Sequence, residues 1–196
     1  MKNLTSTMIA TFVLGAGCAQ AEPVNYVLDG EHTQILWEVD RFGFTNIMGS
    51  FTEIEGALTL DEENPANSSV TAEISLSGLR SDLAQREDIV RGEFWLDAAT
   101  NPTIRYRSTS VELLEPRDGK QRANVTGVMT LAGTEAPVSM TVTLNKLGAD
   151  PVTKRKAAGF SAMGAFNRSD YGVAIALGPV GDTVSFRIEA LAITEE

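Results

Sequence analysis

A single cysteine and a single histidine stand in the 196 residues. One cysteine closes no internal disulfide, and one histidine cannot supply the two or three imidazoles common in catalytic zinc sites. Basic residues are also scarce, with 16 Lys and Arg against 26 Asp and Glu and a net charge of −10. That sign repels phosphate backbones and sets nucleic acid aside as a partner. No glycine-rich phosphate loop follows a strand and opens a helix, and no nucleophile-elbow pattern occurs. The residues therefore assign no catalytic group and no metal ligand. What remains is ample core material, 43% hydrophobic and 21% charged, in a length suited to one domain with a short appendage.

The appendage is residues 1–21. Lys2 precedes an apolar stretch from Met8 to Gly17, and Ala19-Gln20-Ala21 offers the small residues that a signal peptidase reads. About ten apolar residues are too few to span a bilayer, for which roughly 20 are needed. The reading is a cleaved secretory signal, with residues 22–196 as a single exported domain. Leu14-Gly15-Ala16-Gly17-Cys18 leaves a second processing route open, lipidation at Cys18. Cleavage after Ala21 would remove the one thiol, which suits an oxidising compartment.

Beyond residue 22 helical periodicity is rare and period-two alternation recurs, the pattern of strands with one buried face. Ile35, Trp37 and Val39 share a face, as do Ile54, Leu58 and Leu60, and then Val70, Ala72, Ile74 and Leu76. Later rows are Ile104 and Tyr106; Val125 to Leu131; Val138 to Leu144; Phe160 to Phe166; and Val184 to Ala190. Turn residues separate them at Asp61 to Asn67, Arg117 to Lys120, Ala132 to Thr134 and Gly178 to Gly181. Successive hairpins predict an antiparallel barrel or sandwich, since a parallel sheet needs helical crossovers. One stretch departs from this rhythm. Leu83, Arg86, Ile89 and Val90 have helical spacing, which predicts a short helix packed on the barrel, capped by Ser81 or Asp82 and followed by Phe94-Trp95-Leu96. Lys154-Arg155-Lys156 reads as a solvated hairpin tip.

Several inward positions carry Gly or Ala where a filler is expected: Gly56, Ala72, Gly127, Ala162 and Gly164. An eight-stranded barrel is at the margin between a filled interior and one that holds a ligand. Small inward residues predict a cavity lined by Ile35, Trp37, Val39, Ile74, Met129, Val142, Phe160, Phe166 and Phe186, with Tyr106, Phe94 and Trp95 as further ligand contacts. Such a wall demands an apolar guest, because a polar one loses its hydration without gaining hydrogen bonds. Arg168, in Arg168-Ser169-Asp170-Tyr171-Gly172, either meets a ligand head group or braces a strand junction with Asp170. His32 reads as a loop-bracing histidine; with Asp29 or Asp170 it is the one titratable pair that an enzyme could use.

In order along the chain, Tyr26-Val27-Leu28-Asp29, His32, Gly43, Gly49, Phe51 and Gly56 resemble the opening of the YceI-like proteins. Arg86 and Arg91 before Phe94 to Asp97, Asn101-Pro102, the Gly127 to Gly133 segment, Pro137-Val138 and Arg168 to Gly172 continue the resemblance across residues 24 to 192. It implies an all-β, eight-stranded antiparallel lipocalin-like barrel whose tunnel binds a polyisoprenoid, such as an isoprenoid quinone, in the periplasm. It also implies a homodimer. No cofactor is implied beyond the bound lipid, and a carrier of this kind would touch a membrane or a membrane protein transiently. Where the family often carries histidine, this chain has Arg41 and Ile89. Two other readings compete: a barrel isomerase or hydrolase acting on an apolar substrate, and a stress-related interaction module.

Overall fold

The computed structural model describes residues 22–195; the expected signal segment 1–21, with Cys18, lies outside the described residues. Eleven strands and one α-helix follow one another: β1 (Val24–Leu28), β2 (Gln34–Arg41), β3 (Thr45–Phe51), β4 (Ile54–Leu60), β5 (Ser69–Ser75), β6 (Leu79–Arg80), α1 (Ala84–Arg91), β7 (Thr103–Arg117), β8 (Lys120–Leu131), β9 (Thr134–Ala149), β10 (Lys156–Asn167) and β11 (Val180–Thr194). All ladders are antiparallel.

The eleven ladder segments close an eight-stranded barrel because three of its strands are interrupted. β1 and β2 both pair with β11, at Ala192 to Thr194 and at Val180 to Glu189. They are thus two halves of one strand, broken at 29–33. Thr52 and Glu53 separate β3 from β4 in the same way, and a single 3-10 turn at Leu76–Gly78 separates β5 from β6. The five strands from β7 to β11 run unbroken. β6 has no ladder to β7; residues 81–102 cover that gap, and Val90, Trp95 and Leu96 face the interior there.

Ser81 and Asp82 do not cap α1. Leu83 occupies the N-cap without a side-chain bond, while the Glu87 carboxylate accepts the Ser81 N–H at 2.7 Å and Arg86 donates to the Ser81 carbonyl at 3.0 Å. The first turn is tied back to the strand by its own long side chains instead of by a short hydroxyl or carboxylate.

The small inward residues divide: Ala72 and Ala162 line the interior, whereas the space at Gly127 and Gly164 is taken by neighbouring side chains. A Cβ on Gly164 would come within 2.5 Å of Phe186 Cζ, and one on Gly127 within 2.5 Å of the Tyr106 ring; a Cβ on Gly49 would strike the Trp37 indole. Each glycine lets an aromatic ring on the adjoining strand lie flat along the wall, an arrangement known to rescue glycine in sheets. Gly49, Trp37, Phe186 and Gly164 form one cross-strand row over β3, β2, β11 and β10.

The turns at 61–68, 118–119 and 150–155 lie at one end, termed upper, and those at 42–44, 132–133 and 168–179 at the other, termed lower. Arg168 closes the lower end. It is 4% exposed, and its guanidinium donates to the carbonyls of Val173 and Ile175 at 2.7 Å, Gly181 at 2.9 Å and Val180 at 3.0 Å. Its face lies 5.2 Å from the Trp95 ring centroid. Asp170 takes no part; Asp182 instead accepts from the Ser169 N–H and hydroxyl.

Two outcomes follow. Gly164→Val forces the Phe186 ring off the wall and lowers unfolding free energy by about 1–3 kcal/mol in urea titration, the usual cost of overpacking. Arg168→Leu leaves four carbonyls without their donor at about 1–3 kcal/mol per buried group, so a loss of at least about 3 kcal/mol is expected by the same measurement.

Candidate functional site

The barrel holds two apolar chambers on one axis. The lower, about 210 Å³, is walled by Trp37, Val39, Ile74, Trp95, Phe166 and Phe186 among others, and no polar surface faces its lumen. The upper, about 410 Å³, is walled by Leu58, Val125, Val142, Leu144 and Phe160 among others, and its rim carries Glu62, Ser68, Ser69 and Gln121. Ile35, Ala72, Tyr106, Met140 and Ile188 line both, forming a waist between them. An apolar cavity of about 150 Å³ stays dry and takes up benzene, so each chamber exceeds the size at which an oily guest replaces water.

Alternation explains how the residues reach the lumen. On β2, Ile35, Trp37 and Val39 face inward and Leu36, Glu38 and Asp40 outward, and β11 answers with Ile188, Phe186 and Val184 in direct register. Across the barrel Ala72, Tyr106 and Met129 pair in a row over β5, β7 and β8.

Twelve of the thirteen residues singled out from sequence sit along the chambers. Ile35, Trp37, Val39, Ile74, Trp95, Tyr106, Met129, Phe166, Phe186 and Arg168 line the lower one, and Val142 and Phe160 the upper. Phe94 does not. It is 77% exposed on the outer side of the segment whose next residue, Trp95, turns inward. Arg168 borders the lower chamber, but its donors are spent on backbone carbonyls, so it braces the barrel end and has little left for a head group. Sequence reasoning missed Leu28, Phe51, Val111 and Leu113, which also line the chambers. Leu28 ends the five-residue β1, too short to show a period, and Phe51 ends β3, whose alternation Gly49 and Ser50 dilute.

Polar chemistry within the wall is sparse. The Trp37 Nε1 and Tyr106 hydroxyl are buried with no partner among the described residues. His32 Nδ1 lies 2.8 Å from Asp29 Oδ2, but the pair is on the outer surface with the ring exposed, and neither residue lines a chamber. The bond to Asp29 raises the His32 pKa. Among the described residues no three His, Cys, Asp or Glu side chains gather as a metal site.

All three tyrosines of the sequence are buried. Desolvation pushes Tyr106 up to about 12 and Tyr171, helped by Asp170, up to about 12 as well. Burial raises Tyr26 too, against the opposing pull of Lys156. An unfolded phenol ionises near 10. Between pH 10 and 12 the unfolded chain therefore binds fewer protons than the native one, and stability, complete below pH 10, falls as pH rises. The native protein should show little phenolate absorbance at a pH where the urea-unfolded chain is ionised, and its urea midpoint should drop across that window.

Comparison with known proteins agrees with this architecture. A UPF0312 protein of Pseudomonas putida (strain W619) is 30% identical over 172 residues, covering 88% of this chain and 87% of that one. Protein YceI of Escherichia coli O157:H7 is 29% identical over 195 residues, covering 100% and 99%. Among solved structures, Burkholderia cenocepacia BcnA superposes with a TM-score of 0.72 at 21% identity, covering 84% of this chain and 98% of that chain. A polyisoprenoid binding domain from Saccharophagus degradans gives 0.63 at 11% identity, covering 87% and 98%. The YceI-like domain matches residues 26–192, and the chain belongs to that family.

Proposed function

We propose that this protein is a non-enzymatic carrier or store for a polyisoprenoid lipid, such as an isoprenoid quinone, acting in the periplasm. The observation that carries the reading is the pair of apolar chambers that share part of their wall, two linked spaces where a compact ligand would need one. Burial contributes about 0.8 kcal/mol per CH2, so a prenyl chain threaded through both chambers gains affinity from length alone. The lower chamber presents no polar surface and suits the end of the tail. The upper rim, with Ser68, Ser69, Gln121 and Glu62, suits a polar end group. The polyisoprenoid binding domain from Saccharophagus degradans shares the barrel, which supports the same class of guest here. An enzyme of this architecture would need a titratable pair inside the cavity, and His32 with Asp29 stands outside it.

Native mass spectrometry of protein purified from its own cell envelope should reveal an adduct of prenyl-lipid mass. Ala162→Phe, which fills the upper chamber, should abolish uptake of added quinone while leaving the circular dichroism spectrum unchanged. Repeated absence of any adduct together with no uptake by the unaltered protein would overturn the reading.

A further inference from the structure

The two ends of the barrel are chemically unlike. At the upper end the connections are Asp61-Glu62-Glu63-Asn64-Pro65-Ala66-Asn67-Ser68, Asp118-Gly119 between Arg117 and Lys120, and Asp150-Pro151-Val152-Thr153-Lys154-Arg155. These are ordinary solvated tips. At the lower end the β2–β3 tip is Phe42-Gly43-Phe44, and the connection into β11 runs Gly172-Val173-Ala174-Ile175-Ala176-Leu177-Gly178-Pro179. From Gly172 through Gly181 no side chain carries a charge or can hydrogen-bond, yet every residue from 172 to 179 except Val173 is exposed. Connections that face water are normally rich in polar residues.

The apolar groups at this end are not part of the core. Phe44 is 90% exposed, Phe94 77%, Phe42 53%, and Ile175 and Leu177 43% each. They are held together on the outer side of the Arg168 closure. Phe42 N–H donates to the Pro179 carbonyl at 3.0 Å, Arg41 pairs with Val180, and Arg168 joins the Ile175 carbonyl to the face of Trp95, beside Phe94. Three segments distant in sequence thus ring the end of the lower chamber with exposed hydrocarbon.

We propose that the lower end is a membrane-contacting surface, on which these tips enter the head-group region of a bilayer of net-neutral, zwitterionic lipids and set the lower chamber against it. A protein interface ordinarily supplies about one hydrogen bond per 100–200 Å², and these tips offer no side-chain donors or acceptors beyond their flanks. A bilayer boundary asks for none: apolar side chains settle about 5–10 Å into it. The chain's charge of −10 opposes anionic lipid, so the fitting surface is zwitterionic. The proposal goes beyond guest binding but takes from it the reason for the contact, since a prenyl lipid must be drawn from a membrane.

The test is flotation of the mature protein with phosphatidylcholine vesicles. Association should persist in about 1 M salt, where the Debye length is about 3 Å, and should weaken when phosphatidylglycerol is added at low salt. Phe44→Ser and Leu177→Ser, at exposed positions outside both chambers, should each reduce partitioning about tenfold, as expected for withdrawing one large apolar side chain. Val152→Ser, an exposed apolar residue at the opposite end, should leave it unchanged. Thermal melting of each variant shows that the fold is retained. No flotation of the unaltered protein overturns the proposal, as does flotation insensitive to Phe44→Ser and Leu177→Ser or equally reduced by Val152→Ser. The two readings fail separately: a protein that retains prenyl lipid but ignores vesicles refutes the membrane surface alone, whereas one that floats but holds no lipid refutes the carrier alone.

Discussion

An eight-stranded barrel has barely enough interior for its own side chains, and whether any space survives depends on where the large ones lie. Here the decisive contact is an aromatic ring laid flat over a glycine on the neighbouring strand. Trp37 covers Gly49, Phe186 covers Gly164 and Tyr106 covers Gly127. A Cβ at any of these glycines would push the ring toward the axis. The cost is backbone entropy, about 0.5–1 kcal/mol for each glycine in a strand, together with the dispersion contacts that an unfilled lumen forgoes. The long ladders from β7 to β11 offset it, and the folded wall stays thin enough to leave two chambers.

The lower closure follows from the composition of the loop beside it. The segment from Gly172 to Gly181 has no side chain that could satisfy its own carbonyls, and buried carbonyls require a donor. Arg168 supplies it from the adjacent turn, reaching four of them with one planar group. A lysine would offer a single point of donation where the guanidinium offers a fork. The apolar tip and the buried cation are therefore one device. Because the tip cannot hold itself, the arginine holds it, and the chamber behind the arginine is left with an uninterrupted hydrocarbon lining.

Period-two alternation made the barrel and most of its lining legible. Where a strand ran long enough, as in Trp37 on β2 or Phe186 on β11, the inward row could be named outright. Four features escaped for physical reasons. Phe94-Trp95-Leu96 has no period, so nothing in the order of residues says that Trp95 turns in while Phe94 turns out. β3 carries Gly49 and Ser50 within Thr45–Phe51, and polar or missing side chains on both faces dilute its alternation. The glycines were seen but misread, because a sequence shows the side chain missing at a position and not the ring from another strand that lies over it. The capping of α1 failed similarly, since a serine or aspartate before a helix competes with a glutamate in its first turn.

The same barrel can enclose guests of different shape, so kinship of fold does not choose among them; the wall does. A compact ligand needs its volume in one place, whereas here Ile35, Ala72, Tyr106, Met140 and Ile188 narrow the interior between the chambers. A linear, flexible chain passes such a waist by adjusting its torsions and still gains burial on both sides. Tyr106 sharpens the selection. Its ring is fixed against Gly127, its hydroxyl is buried without a partner among the described residues, and the strand row through Ala72 and Met129 cannot retreat without breaking two ladders. Widening where the chambers meet is thus resisted by the wall itself.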